Sequence, residues 1–262
     1  MHLTDLINSI DYTITNSVII DIIKSKKFSK NTLLYEDEDG DDSDEYCKHS
    51  LLMDLCHIVR YDVFKLLIEN YTITKKDIMF HDEDGTTIFM MACKYNNLRL
   101  VRTLVELYDI TKNDVLNRDN NGCNTLYIVC YKNHVSMLQF LLDTFDITKE
   151  DVLFEIYNYH SPFFTACASG SLHVVKLLTT KFNFNKEDIL HKDTTGESVL
   201  FNYGEINTHY GVIYYLVSMY DISREEFELC CGVSIDTNQM YKYDGDLKEI
   251  FDKIDNNKTN IM

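Results

Sequence analysis

Ile73-Thr74-Lys75-Lys76-Asp77 recurs as Ile110-Thr111-Lys112-Asn113-Asp114, then as Ile147-Thr148-Lys149-Glu150-Asp151 and as Phe184-Asn185-Lys186-Glu187-Asp188. Each copy follows the last after 37 residues. A fifth, Ile222-Ser223-Arg224-Glu225-Glu226, arrives after 38, so one residue is inserted before it. A second ladder keeps the same step: Cys56, Cys93, Cys130 and Cys167 are each 37 residues apart. Two ladders in phase over four copies mean an internal repeat, and a period of this size means stacked supersecondary units.

One unit, Gly85 to Asn121, shows what repeats. Asp82-Glu83-Asp84 before Gly85 is turn chemistry. Ile88, Phe89, Ala92 and Cys93 recur at three-to-four spacing, which predicts a short helix with one apolar face. Asn96-Asn97 breaks it. Leu98, Val101, Leu104 and Val105 predict a second helix with its own apolar face. Thr111-x-x-Asp114 then reads as a capping box, with the Thr hydroxyl accepting from the backbone N–H three residues on and the Asp reaching back. It starts one further helical turn through Val115 and Leu116, before the turn Asp119-Asn120-Asn121-Gly122. A helix pair this small cannot bury both apolar faces alone, whereas stacked pairs share one continuous core. Ala92-Cys93, Val129-Cys130 and Ala166-Cys167 are small enough to let neighbouring first helices pass closely. The expected fold is all-α: a solenoid of stacked helix pairs with short turn or hairpin tips and a 37-residue repeat.

These units resemble the ankyrin family. Ser161-Pro162-Phe163-Phe164-Thr165-Ala166-Cys167-Ala168-Ser169-Gly170 is similar to the family's T-P-L-H-x-A-A-x-x-G, and Val174-Val175-Lys176-Leu177-Leu178 follows as the second helix. Gly122, Leu126, Cys130, Asn133-His134 and Leu141-Leu142 fit the same frame. The family repeat is about 33 residues, so this one is longer. The extra residues fall where the Thr-x-x-Asp cap sits, which implies a longer, partly helical outer loop. Proline appears in one copy only, and Tyr159 stands where the turn glycine is expected. The repeated I-T-K-x-D and the Asn-, Ile-, Lys- and Tyr-rich composition are similar to ankyrin proteins of giant DNA viruses of amoebae.

The frame divides the chain into three parts. Residues 1–48 read as a divergent first repeat serving as a cap, with Leu6, Ile7 and Ile10, then Ile19, Ile22 and Ile23, as paired helices. An acidic loop follows them, since eight of the ten residues from Glu36 to Glu45 are Asp or Glu. A solvated loop is the plain reading, and a dock for a basic segment the sharper one. Residues 49–229 read as five ankyrin-like repeats. Residues 230–262 read as a capping segment, with Leu247, Ile250, Phe251 and Ile254 on one stripe.

Composition narrows the function classes. With a net charge of −17, the chain disfavours nucleic acid and anionic lipid as partners. Its start, Met1 to Asp11, carries Asp5 and Asp11 and lacks the basic and apolar run of a secretory signal. No stretch approaches the roughly 18 apolar residues of a membrane span. The expectation is an intracellular, cytoplasmic monomer (in the host cytoplasm if the protein is viral). Neither cofactor nor metal is expected. The cysteine ladder cannot chelate zinc, because stacked helices hold its members about 8–10 Å apart; burial in the core accounts for it. Cys230-Cys231 reads as a pair of small apolar residues, Cys47 and Cys123 as exposed loop thiols, and His134 as a structural histidine between helices. No P-loop, dinucleotide-binding glycine pattern, H-E-x-x-H or nucleophile elbow is present, which argues against an enzyme.

The resemblance implies that a partner protein lies in a concave face, built from the turn tips and the exposed side of the first helices. Carried over, that face comprises Glu83, Asp84, Thr86, Lys94 and Tyr95, then Asn120, Asn121, Cys123, Tyr131 and Lys132, then Tyr157, Asn158 and His160, and finally Thr194 and Glu197. Tyr95, Tyr131 and Tyr157 are expected as aromatic anchors, with Tyr95 and Tyr131, 36 residues apart, at equivalent positions. The negative field implies a partner with a basic surface. The alternative to a binding module is a structural component, for example of a virion, without a dedicated soluble partner.

Overall fold

In a computed structural model of the chain, the described residues are 51–57, 61–153, 161–193, 196–200, 210–231 and 250–252, with Asp21 and Ser25, both helical. The rest of the expected N-terminal cap with its acidic loop, and also Cys47, Tyr157, Asn158, Tyr159, His160, Thr194, Leu247 and Ile254, lie outside them. The chain forms two compact units, Met1–Ile128 and Val129–Met262.

The first unit contains α1 (Leu51–His57), α2 (Tyr61–Asn70), α3 (Lys75–Ile78), α4 (Ile88–Lys94), α5 (Leu98–Tyr108) and α6 (Lys112–Leu116). The first helices α1 and α4 pack on each other, and each packs on its own second helix, α2 or α5. The second unit contains α8 (Val135–Thr144), α9 (Lys149–Leu153), α10 (Pro162–Ala168), α11 (Leu172–Lys181), α12 (Lys186–Leu190), α13 (Tyr210–Met219) and α14 (Arg224–Cys231). There α10 packs on α11, and α11 packs on both α8 and α13. The boundary between units falls inside α7 (Thr125–Tyr131). Among the described residues no strand forms. The tips carry isolated antiparallel bridges, His81 with Thr87, Arg118 with Asn124 and Lys192 with Ser198.

Each repeated element has a local cause. The first helices begin on a capping residue that recurs every 37 residues. Thr87 accepts from Met90 N, Asn124 from Tyr127 N and Ser161 from Phe164 N, while Ser198 accepts from Leu200 N. These helices end on left-handed Asn96, Asn133 and Gly170, with φ of 55°, 56° and 68°. Closing bonds then run from Asn97 N to Ala92 O, His134 N to Val129 O and Ser171 N to Ala166 O.

The expected apolar faces are too narrow. In α4 every residue from Ile88 to Cys93 is buried, Met90 and Met91 included. Helix α4 meets its own second helix α5 on one side and the first helix α1 on another, so more than one face is covered. In α5 the buried residues are Leu100, Val101 and Leu104, while Leu98 and Val105 are half-buried. Cys56, Cys93, Cys130 and Cys167 are all buried. Burial pushes the thiols of Cys93, Cys130 and Cys167 up, away from the thiolate. At the far end Ile250 and Phe251 are buried, and Phe251 meets Phe227 of α14 edge to face at 5.5 Å. Helix α14 runs to Cys231, two residues past the boundary expected at 229. Cys230 is buried there, with its Sγ 3.1 Å from Ser198 Oγ.

Among the described residues two buried side-chain atoms lack a hydrogen-bond partner, Asn97 Nδ2 and Thr125 Oγ1, and the second breaks the repeat pattern. The Thr125 hydroxyl is fully buried without a hydrogen-bond partner. The same repeat position holds Ile88, Pro162 and Val199 in the other copies. Replacing Thr125 with Val keeps the shape and removes the desolvated hydroxyl, so it should stabilise the protein by about 1 kcal/mol. Urea unfolding checks this, and a lower midpoint for the variant would contradict it.

Candidate partner-binding face

An aspartate side chain ties each tip internally. Asp82 Oδ1 accepts from Asp84 N at 3.0 Å and from Thr86 N at 2.7 Å. Asp119 Oδ1 accepts from Asn121 N at 2.9 Å and Cys123 N at 2.8 Å, and Asp193 Oδ1 accepts from Glu197 N at 2.8 Å. Glycine completes each turn in a left-handed conformation: Gly85 has φ 79°, Gly122 82° and Gly196 83°. In the first unit, adjacent tips also join. Asn120 N donates to Asp84 O at 2.8 Å, and Asn120 Nδ2 donates to Glu83 O at 2.5 Å.

This geometry sorts the residues expected to face a partner. Glu83, Asp84 and Asn121 are exposed and point charge or amide groups from the tips. Asn120 is exposed too, but its amide is engaged in holding the tips together. Thr86 and Glu197 are half-buried, their backbones fixed in the turns. Cys123 is a correction: it is half-buried, not an exposed loop thiol, and burial with the nearby Asp119 pushes its thiol up to about 11. Asp119 is itself raised, chiefly by burial, with the Asp84 charge adding to the effect.

The tyrosines need a second correction. Helix α4 ends at Lys94, followed by Tyr95 and left-handed Asn96; α7 ends at Tyr131, followed by Lys132 and left-handed Asn133. The equivalent positions are therefore Lys94 with Tyr131 and Tyr95 with Lys132. The 36-residue spacing of the tyrosines falls one short of the period, and the left-handed asparagines fix the register. These two repeats still each pair one lysine with one tyrosine, whereas the next has Ala168 and Ser169 there. Lys94 Nζ lies 6.0 Å from the Tyr95 ring centre, and Lys132 Nζ lies 5.5 Å from that of Tyr131. Tyr95 is half-buried and Tyr131 is 53% exposed.

The short capped helices carry an interaction the sequence did not disclose. The expected capping boxes close at Thr74/Asp77, Thr111/Asp114 and Asn185/Asp188. Ser223 and Glu226 bond reciprocally in the same way. The lysine that opens one short outer helix reaches the capping acid of the next: Lys75 meets Asp114 at 2.7 Å, Lys149 meets Asp188, and Lys186 meets Glu226 at 2.7 Å. Each acid thus serves its own cap and its neighbour's lysine. Burial opposes ionisation of Asp114, but the bonds from Lys75 and Thr111 outweigh it and hold its pKa below the usual carboxylate range. Glu226 is lowered to about 2, first by Lys186 and then by Ser223 N. Its contribution to stability is complete above the ordinary 4.5 and is lost as pH falls toward about 2. Accordingly, a Glu226→Gln variant should show a flatter fall of the thermal midpoint across that acid window than the parent. Parallel curves would contradict the shared bond.

Among the described residues, no cluster of three or more His, Cys, Asp or Glu is arranged to hold a metal ion, and no helix is long and apolar enough to cross a membrane. Residues 52–151 match the family model of ankyrin repeats in three copies. No curated protein matches the chain. The described residues thus form an all-α repeat fold, ankyrin-type over residues 52–151. Ankyrin repeats generally mediate protein–protein interaction and are typically non-catalytic.

Proposed function

We propose that the protein is a non-catalytic binding module. Each unit contributes its tips and the C-terminal ends of its first helices to the recognition of another protein. The observation that carries this is the contrast within the repeat. Core positions recur as Cys93, Cys130 and Cys167, and outer positions as capping boxes. The tips and first-helix ends instead vary, from Glu83-Asp84 to Asn120-Asn121 and from Lys94-Tyr95 to Tyr131-Lys132. One exposed ring, Tyr131, and one half-buried ring, Tyr95, each with a lysine beside it, suit an apolar anchor at low ordering cost. The partner in this reading carries a basic surface; nucleic acid and membrane are not partners, and the module acts as a cytoplasmic monomer.

The test is titration calorimetry with the protein captured by the intact chain from its native cell. Tyr95→Ala with Tyr131→Ala should weaken binding by at least about 2 kcal/mol. The thermal midpoint should stay unchanged, because neither ring belongs to the repeated core. Full affinity in the double variant would contradict the proposal.

A further inference from the structure

Asn121-Gly122 is the one Asn-Gly step in the sequence, and it lies at the point of a tip. Asn121 is exposed, so its carboxamide meets solvent. Gly122 has no side chain to crowd its nitrogen and sits at φ 82°. We propose that Asn121 of the folded protein is a site of spontaneous deamidation. Gly122 N loses its proton to solvent base and attacks Asn121 Cγ. The N–Cγ bond forms, the Cγ–Nδ2 bond breaks, and ammonia leaves with a proton from water, so a cyclic imide remains. Water then opens the imide at one carbonyl or the other, to aspartate or isoaspartate. The only co-reactant is water.

Two features of the turn bear on this step. The Gly122 N–H donates to Asp119 O at 2.9 Å, so the tip must open before the nitrogen can react. Both residues are half-buried, but the bond lies in a turn between elements, where opening costs less than inside a helix. The product also has a precedent one repeat earlier. Asp84-Gly85 occupies the same position, with Asp84 N on Asp82 Oδ1 at 3.0 Å and Gly85 N on Asp82 O at 3.0 Å. Aspartate at 121 therefore fits the turn as built. On the partner-binding reading above, the change adds a carboxylate to the face that meets a basic surface.

The experiment ages the folded chain in mildly alkaline buffer made with heavy-oxygen water. The tryptic peptide between Arg118 and Lys132 is then sequenced by mass spectrometry, with a urea-unfolded sample beside it. Label should build at Asn121 roughly tenfold faster than at any other asparagine of the folded chain, since only this one is followed by a residue without Cβ. The Asn121→Asp variant should melt with the parent. Label at Asn121 in the unfolded sample alone, or faster labelling elsewhere in the folded chain, would overturn the proposal. An Asn121→Asp variant that melts well below the parent would overturn the claim that the turn accepts the product.

Discussion

Phe163→Ala should cost about 3–5 kcal/mol in urea unfolding. Phe163 is fully buried in the first turn of α10 and meets the Phe184 ring edge to face, with ring centres 4.7 Å apart. Phe184 in turn carries Lys149, whose ammonium lies 5.1 Å from the ring centre and pairs with Asp188. Truncating Phe163 leaves a cavity where two close-packed helices cannot collapse, and it unseats the ring that helps position the Lys149 rung. The matched control is Phe80→Ala. Phe80 is 41% exposed and stacks on His81 at the surface, so its loss should cost under about 1 kcal/mol. Equal costs for the two variants would mean that α10 is not at the centre of the stack.

Gly85→Ala should destabilise by about 2–4 kcal/mol, while Gly196→Ala should cost only about 1–2 kcal/mol. Both glycines are left-handed, with φ of 79° and 83°, so alanine carries a similar backbone penalty at each. The difference is what a Cβ would meet. At Gly85 it would lie 2.6 Å from Asn120 N and 2.7 Å from Asn120 Oδ1. The next tip must move away, and the bonds from Asn120 to Asp84 O and Glu83 O go with it. At Gly196 nothing lies within 4 Å. Thermal melts of both variants measure the gap. Indistinguishable midpoints would show that tip-to-tip hydrogen bonding contributes nothing beyond the turn itself.

The sequence disclosed what depends on one repeat and hid what depends on two. The Cys ladder, the break at Asn96-Asn97 and the capping boxes from Thr74 to Ser223 were readable, because each is a local pattern copied at a fixed period. The burial of Met90 and Met91 was not, since a helix wheel shows one apolar face and only the stack supplies neighbours for the others. The lysine rungs escaped for the same reason. Lys75 and Asp114 stand 39 residues apart, and nothing in either motif says that stacking makes them adjacent. The mistaken match of Tyr95 with Tyr131 came from residue type outweighing register. Lys94-Tyr95 and Tyr131-Lys132 carry the same pair in opposite order; the 37-residue period already sets the alignment, and the left-handed Asn96 and Asn133 agree with it.

The central proposal is that the tips and first-helix ends of each unit bind the partner, while the lysine–carboxylate pairs are purely structural. Hydrogen exchange of the chain, alone and saturated with its captured partner, tests it directly. Protection should appear at Glu83 to Thr86, at Asn121 to Cys123 and around Tyr95 and Tyr131. The amides of Lys75 to Asp77, Lys112 to Asp114 and Lys186 to Asp188 should exchange at the same rate in both states. Protection confined to those amides, or to the acidic run Glu36 to Glu45, would contradict the account.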